Sequence, residues 1–123
     1  MGTYTEIYVN VDFKKDLPDD VIEVITAVCN KDLNYFATSD FPLRWGLLFN
    51  NGSYYTPYTS CAMLTYDETA EHWSLLGKGD IKNTSEEIEE FFEYIEPYVE
   101  RPFMGYIMEE YTTPQMMFKP TEN

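Results

Sequence analysis

The sequence predicts an α+β domain: a two-layer sandwich in which a mainly antiparallel sheet carries two helices on one face. Residues 3–13 alternate between apolar and polar along a whole strand. Two later stretches, 18–29 and 84–101, carry apolar stripes at helical spacing. The remaining apolar runs are short and separated by turn signals, which favours antiparallel neighbours. The element order reads β-α-β-β-β-α-β-β over one domain, 1–123, and a ferredoxin-like arrangement with extra strands is the nearest common plan.

In the first strand Thr5, Ile7, Val9, Val11 and Phe13 share one face, and Tyr4, Glu6, Tyr8, Asn10 and Asp12 the other. Pro18 suits a first helical turn, and Asp16, Asp19 and Asp20 favour the positive helix terminus. Val21, Val24, Ile25 and Val28 then form the apolar stripe of a helix reaching about Cys29. Residues 30–44 read as an aromatic-rich loop. Trp45 to Phe49 reads as a short strand closed by Asn50-Asn51-Gly52, residues that tolerate positive φ. Cys61–Tyr66 and His72–Ile81 are the next strands, with Trp73, Leu75 and Ile81 on one face. Gly77 and Gly79 mark a bulge or a close backbone approach. Phe103 to Tyr111, a turn at Thr112-Thr113-Pro114, and Gln115 to Lys119 make a closing hairpin, after which residues 120–123 fray.

The stretch Thr84–Arg101 is the most informative. Ile88, Phe91, Phe92, Ile95, Tyr98 and Val99 fall on one side of a helix, and Glu86, Glu89, Glu90, Glu93, Glu96 and Glu100 on the other. Thr84 and Glu87 have capping-box spacing. No Lys or Arg lies between Lys82 and Arg101. The six glutamates therefore form a candidate partner-binding face, with Tyr94 at its margin.

Bulk composition narrows the partner classes. A net charge of −14 opposes direct binding to nucleic acid or to an anionic membrane. No apolar run approaches the roughly 20 residues of a membrane span. The start carries Glu6 and Asp12 in an alternating pattern rather than a secretory leader, and Glu6 replaces the Ser or Thr of a myristoylation signal. Cys29 and Cys61 lack metal or redox spacing and read as free thiols of a cytoplasmic protein. Eleven Tyr, eight Phe and two Trp supply either a core with polar edges or an exposed contact surface. Tyr54, Tyr55 and Tyr58 form a second candidate contact patch beside Trp45, or a loop packed over one end of the core.

Several segments together resemble a family of small uncharacterised proteins encoded by bacteriophages and prophages. They are the opening Met-Gly-Thr-Tyr-Thr-Glu, Lys14-Lys15-Asp16-Leu17-Pro18 with Val21-Ile22, and Gly52-Ser53-Tyr54-Tyr55. Asp80-Ile81-Lys82-Asn83 leading into Glu87 to Phe92 and Ile95 to Tyr98 is similar too, as are Gly105-Tyr106, Glu109-Glu110 and Pro114. The chain departs from that pattern in residues 30–44, where its loop is longer. The resemblance implies a phage accessory protein working in bacterial cytoplasm and transfers no catalytic residue.

Two carboxylates three or four apart on a helix stand about 5–6 Å from each other, close to the phosphate spacing of a nucleic-acid strand. The acidic face thus imitates a nucleic-acid backbone toward a basic host or defence protein, in the manner of an anti-CRISPR, or it is a solvated face that keeps the protein soluble. The alternative is a self-assembling module, a homodimer through the sheet face or an edge with Tyr4, Tyr8 and Tyr106. An enzyme built on His72, the single histidine, with Cys29 or Cys61 as nucleophile is the third reading. The sequence offers no catalytic set, no metal spacing and no cofactor fingerprint, so the expectation is a non-enzyme without cofactor.

Overall fold

A computed structural model describes residues 3–49, 61–82 and 86–120. Five strands form one antiparallel sheet: β1 (Tyr4–Asp12), β2 (Cys61–Asp67), β3 (His72–Lys82), β4 (Phe103–Glu109) and β5 (Gln115–Phe118), in the order β2-β3-β1-β4-β5. The helices are α1 (Asp19–Cys29), α2 (Leu33–Ala37) and α3 (Glu87–Ile95). Two helices of more than two turns and an antiparallel sheet make this an α+β fold.

The alternation of β1 decides the layers. Ile7, Val9 and Val11 are fully buried, together with Phe13 just beyond the strand. α1 turns Val21, Val24, Ile25 and Val28 into the same core, and α3 adds Ile88, Phe91, Phe92 and Ile95. The strand occupies the sheet centre because its whole apolar face is covered and both edges are paired, to β3 from Tyr4↔Lys82 to Asp12↔Ser74 and to β4 from Thr5↔Glu109 to Val9↔Gly105. The β2–β3 hairpin is closed by Asp67, whose Oδ1 accepts from the N–H groups of Thr69 and Ala70 at 2.9 and 3.1 Å.

Three sequence expectations are corrected. First, Trp45–Phe49 is not a strand: Leu43–Leu47 forms a 3-10 helix after Pro42, and Leu48 and Phe49 enter the core. A short apolar run has no period that separates strand from helix. What this segment needs is proximity, and Gly77 and Gly79 of β3 provide it. A Cβ at Gly79 would stand 2.5 Å from Phe49 Cα, and one at Gly77 would stand 2.6 Å from the Phe49 ring. The two glycines therefore mark a close approach.

Second, residues 30–44 are not all loop. Asp32 Oδ1 accepts from the Tyr35 N–H at 3.1 Å and caps α2. Phe36 from this short helix is buried against Trp45, ring centroids 6.2 Å apart.

Third, the helix expected over 84–101 is shorter. It begins at Glu87, with Glu86 as N-cap and no side-chain capping bond, so Glu87 is a first-turn residue rather than the third residue of a capping box. Thr84 lies outside the described residues. The α-helix ends at Ile95, and Glu96–Tyr98 is a single 3-10 turn carrying Pro97. Beyond it Val99 bridges to Phe13, and the Glu100 N–H donates to the Asp12 carbonyl at 2.8 Å. Backbone pairing to the end of β1 has replaced the last helical turn.

Candidate functional site

The acidic surface is built on α3. Its apolar stripe fixes its rotation: with Ile88, Phe91, Phe92 and Ile95 buried, Glu86, Glu90 and Glu93 are exposed and Glu89 is half-buried. Acidic residues in the first turn also favour the positive end of the helix dipole.

A clamp holds the N-terminus of this helix. The Trp45 indole Nε1 donates to the Glu87 carbonyl at 3.0 Å, and the Arg44 guanidinium donates to the Lys82 carbonyl and lies 4.0 Å from the Glu87 carboxylate. The 3-10 helix contacts both α1 and α3 and wedges them together. Rings of Phe41, Trp45, Phe91 and Tyr94 pack at centroid distances between 5.2 and 5.5 Å. Tyr94 is thus a half-buried member of an aromatic cluster with its hydroxyl near the acidic surface.

Charge on α1 reaches the same place. Burial first, and then the Asp20 carboxylate, push the Tyr94 phenol up to about 12. Burial raises Tyr35 as well, followed by the charges of Glu23 and Asp20. Asp20 and Glu23 are exposed and their charges reach Tyr35 and Tyr94, so these acids of α1 extend the α3 strip past a seam of tyrosines. Neither residue was read from the sequence as part of the face. Their stripe position was legible, but the closeness of α1 to α3 was not.

Ion pairs join Lys15 to Glu71, Arg44 to Glu87, Lys78 to Glu6 and Arg101 to Asp12. Among the described residues Glu86, Glu89, Glu90, Glu93, Glu96 and Glu100 have no Lys or Arg partner. Of the eight Lys and Arg in the chain, Lys15, Lys78 and Arg101 pair with carboxylates elsewhere and Lys119 donates to the Val99 carbonyl at 2.9 Å. The strip is nonetheless shorter than six residues. Glu96 opens the 3-10 turn and is half-buried, and Glu100 sits on the connection to β4, fixed by its bond to β1. Glu86, Glu89, Glu90 and Glu93 remain as the helical array. Tyr54, Tyr55 and Tyr58 lie outside the described residues.

The described groups of the enzyme reading lie on separate elements, Cys29 on α1 and His72 on β3. Cys29, half-buried on α1, has its thiol pushed up to about 11 by burial, so it is protonated at neutral pH and a poor nucleophile. His72 lies on β3 with Nε2 3.7 Å from Asp12 Oδ1, and Ser74 donates its hydroxyl to that same carboxylate oxygen at 2.7 Å. Arg101 closes the group at 3.0 Å from Oδ2. Asp12 thereby ties β1, β3 and the connection to β4 together. The Cys61 side chain lies outside the described residues. Among the described residues no group of three His, Cys, Asp or Glu could hold a metal ion, and no helix is long and apolar enough to cross a membrane.

The face of the sheet away from the helices holds a second polar cluster. The Tyr106 hydroxyl donates to Glu6 Oε2, and Lys78 Nζ lies 3.7 Å from Glu6 Oε1. Tyr8 stacks on Tyr106 with centroids 5.1 Å apart. Glu6 and Asp80 are buried although the alternation of β1 and β3 places them on this face. Burial and then the bond to Glu6 hold the Tyr106 phenol well above its usual range.

Raised phenols and thiols make a pH prediction. Native Cys29 and Tyr94 keep their protons at pH values where the unfolded chain, with ordinary values of 9.0 and 10.0, has released them. Their contribution to stability is therefore full below pH 9 and is lost as pH rises toward about 11 and 12. Thermal unfolding scanned over that interval is expected to show a falling midpoint, and Tyr94→Phe is expected to shallow the fall. An equal slope in the variant would count against a protected phenol.

Comparisons with protein-family models, with curated proteins and with solved structures return no match.

Proposed function

We propose that this chain is a non-catalytic interaction protein whose acidic helix layer binds a basic surface on another protein, of the kind that handles nucleic-acid backbone. The observation that carries this reading is the α3 array itself: Glu86, Glu89, Glu90 and Glu93 stand without a Lys or Arg partner among the described residues. Like charges three and four apart each cost a few tenths of a kcal/mol, about 0.2–0.5, on a helix. A face made only for solubility would normally alternate sign. Spaced about 5–6 Å apart, these carboxylates approximate the separation of phosphates on a strand. The acids of α1 widen the field, and the Tyr94 and Tyr35 hydroxyls add neutral hydrogen-bonding groups along its seam. The segment resemblance supplies the setting: an accessory protein of a bacteriophage or prophage, acting in bacterial cytoplasm on a host or defence component.

The test is capture from bacterial lysate by the immobilised protein, alongside a variant with Glu86→Lys, Glu90→Lys and Glu93→Lys. All three residues are exposed, so the variant keeps the core. A steered complex is expected to form at about 50 mM salt, weaken at least tenfold by about 500 mM, and disappear in the variant. The same captured proteins from both forms at both salts would end this reading.

A further inference from the structure

The sheet surface opposite the helices is apolar at both of its edges and electrostatically quiet between them. On one side Met63 of β2 faces Leu76 of β3 in register, 63% and 51% exposed. On the other, Met116 and Phe118 of β5 are 51% and 59% exposed, and Phe118 packs edge-on against Phe103 of β4 with centroids 5.7 Å apart. Alternation places Met63, Leu76, Met116 and Phe118 on the face that carries Tyr8, Asn10 and Tyr106, and the register shift between Phe103 and Gly105 brings Phe103 opposite Phe118 on the same face. Side chains of this size are normally turned inward, and five strands bring them to one surface.

Charge selects the occupant. Elsewhere the chain is acidic, with a net charge of −14, and two copies meeting through their helix layers would repel. On the sheet face Lys78 balances Glu6, and Arg101 balances Asp12. Glu6 stands opposite Asp80 in the register of β1 and β3, and Lys78 and Lys82, opposite Tyr8 and Tyr4, flank that acidic pair on either side. This is the approach on which a second copy meets no net field. The apolar edges also suit a two-fold axis lying along β1 between the two sheets. That axis places Met63 and Leu76 of one copy over Phe103 and Phe118 of the other, twice, with Asn10 near the centre. A two-fold interface of this kind must be self-complementary, and a large aromatic edge opposite a flexible Met–Leu edge meets that condition.

We infer that the exposed sheet face is a homodimer interface, formed by face-to-face packing of two copies with the acidic helix layers turned outward on opposite sides. Strands about 4.8 Å apart, each rising about 3.3 Å per residue, give a footprint on the order of 500 Å² per copy, at the small end of specific interfaces. The dimer is accordingly weak, with dissociation on the order of tens of micromolar. Tyr8 and Tyr106 enter it as a stacked, half-buried pair, and the anchors are the Met, Leu and Phe side chains around them.

Sedimentation velocity from about 5 to 500 µM tests this, a range that brackets a weak association. The wild-type chain is expected to shift from monomer to dimer across it. Leu76→Glu with Phe118→Glu is expected to weaken the dimer at least tenfold while leaving the unfolding midpoint unchanged, since both side chains are exposed. Should that pair lower the midpoint, Met63→Lys and Met116→Lys, read separately, give the same decision. The triple Lys variant of α3 is expected to dimerise as the wild type does, which separates this inference from the partner-binding reading. A wild-type monomer throughout, a dimer untouched by the sheet variants, or a dimer dissolved by the α3 variant would each overturn it.

Discussion

Gly79→Ala is expected to destabilise the protein by about 3 kcal/mol or more, through strain and lost burial together. The new methyl would stand 2.5 Å from Phe49 Cα and 2.6 Å from the Leu48 carbonyl oxygen. Both neighbours are backbone, so no side-chain rotation relieves the overlap, and the segment must lift from β3. Lifting it uncovers Leu48 and Phe49, which are fully buried. It also loosens Trp45 and Arg44, the residues that hold the first turn of α3. Gly77→Ala is the control. Its nearest contacts are the far edge of the Phe49 ring at 2.6 and 2.8 Å, which can rotate away, so a smaller loss is expected. Urea unfolding of both variants measures the difference, and the near-ultraviolet circular dichroism of Trp45 reports whether the segment has moved. Equal stability of Gly79→Ala and the wild type would mean that residues 43–49 do not cross the sheet there.

That segment also shows where reading the sequence stopped short. β1, α1, α3 and the β2–β3 hairpin were legible because each carries a period: two for the strands, about 3.6 for the helices. Trp45 to Phe49 carries none, and its conformation is set by a notch in a strand thirty residues further on. Gly77 and Gly79 signalled the notch without naming what fills it. The order of strands was equally out of reach, since neighbours in the sheet such as β1 and β4 are joined by no local turn. The same limit applies to the surface. Glutamates on α3 could be placed by spacing alone, whereas Asp20 and Glu23 join them only because the 3-10 helix packs α1 and α3 around one aromatic cluster. Pro97 pointed to an earlier helix end than the apolar stripe implied, because Tyr98 and Val99 continue the stripe by coincidence with a backbone bridge to β1.

Phe91→Ala is expected to cost about 3–5 kcal/mol, the range for emptying a fully buried aromatic site. Phe91 is completely buried, edge-on to Trp45 at 5.4 Å and to Phe49 at 6.3 Å. It is the point at which the helix meets both ends of the segment from Trp45 to Phe49. Out of a total stability that for small domains is about 5–15 kcal/mol, the loss is large enough to populate unfolded chain at moderate denaturant. Phe91→Leu keeps most of the volume and is expected to lose about 1.5 kcal/mol or less. Glu90→Ala, one residue away and exposed, is expected to change stability by less than about 0.5 kcal/mol. This ordering separates the two sides of α3. If the helix is anchored through Phe91, Phe91→Leu should keep the acidic array in place and retain salt-sensitive partner capture, while Phe91→Ala should weaken capture in step with its loss of fold. Capture that survives in a chain whose α3 has melted would show that the carboxylates act as a flexible tail, and the fixed spacing of Glu86, Glu89, Glu90 and Glu93 would no longer explain recognition.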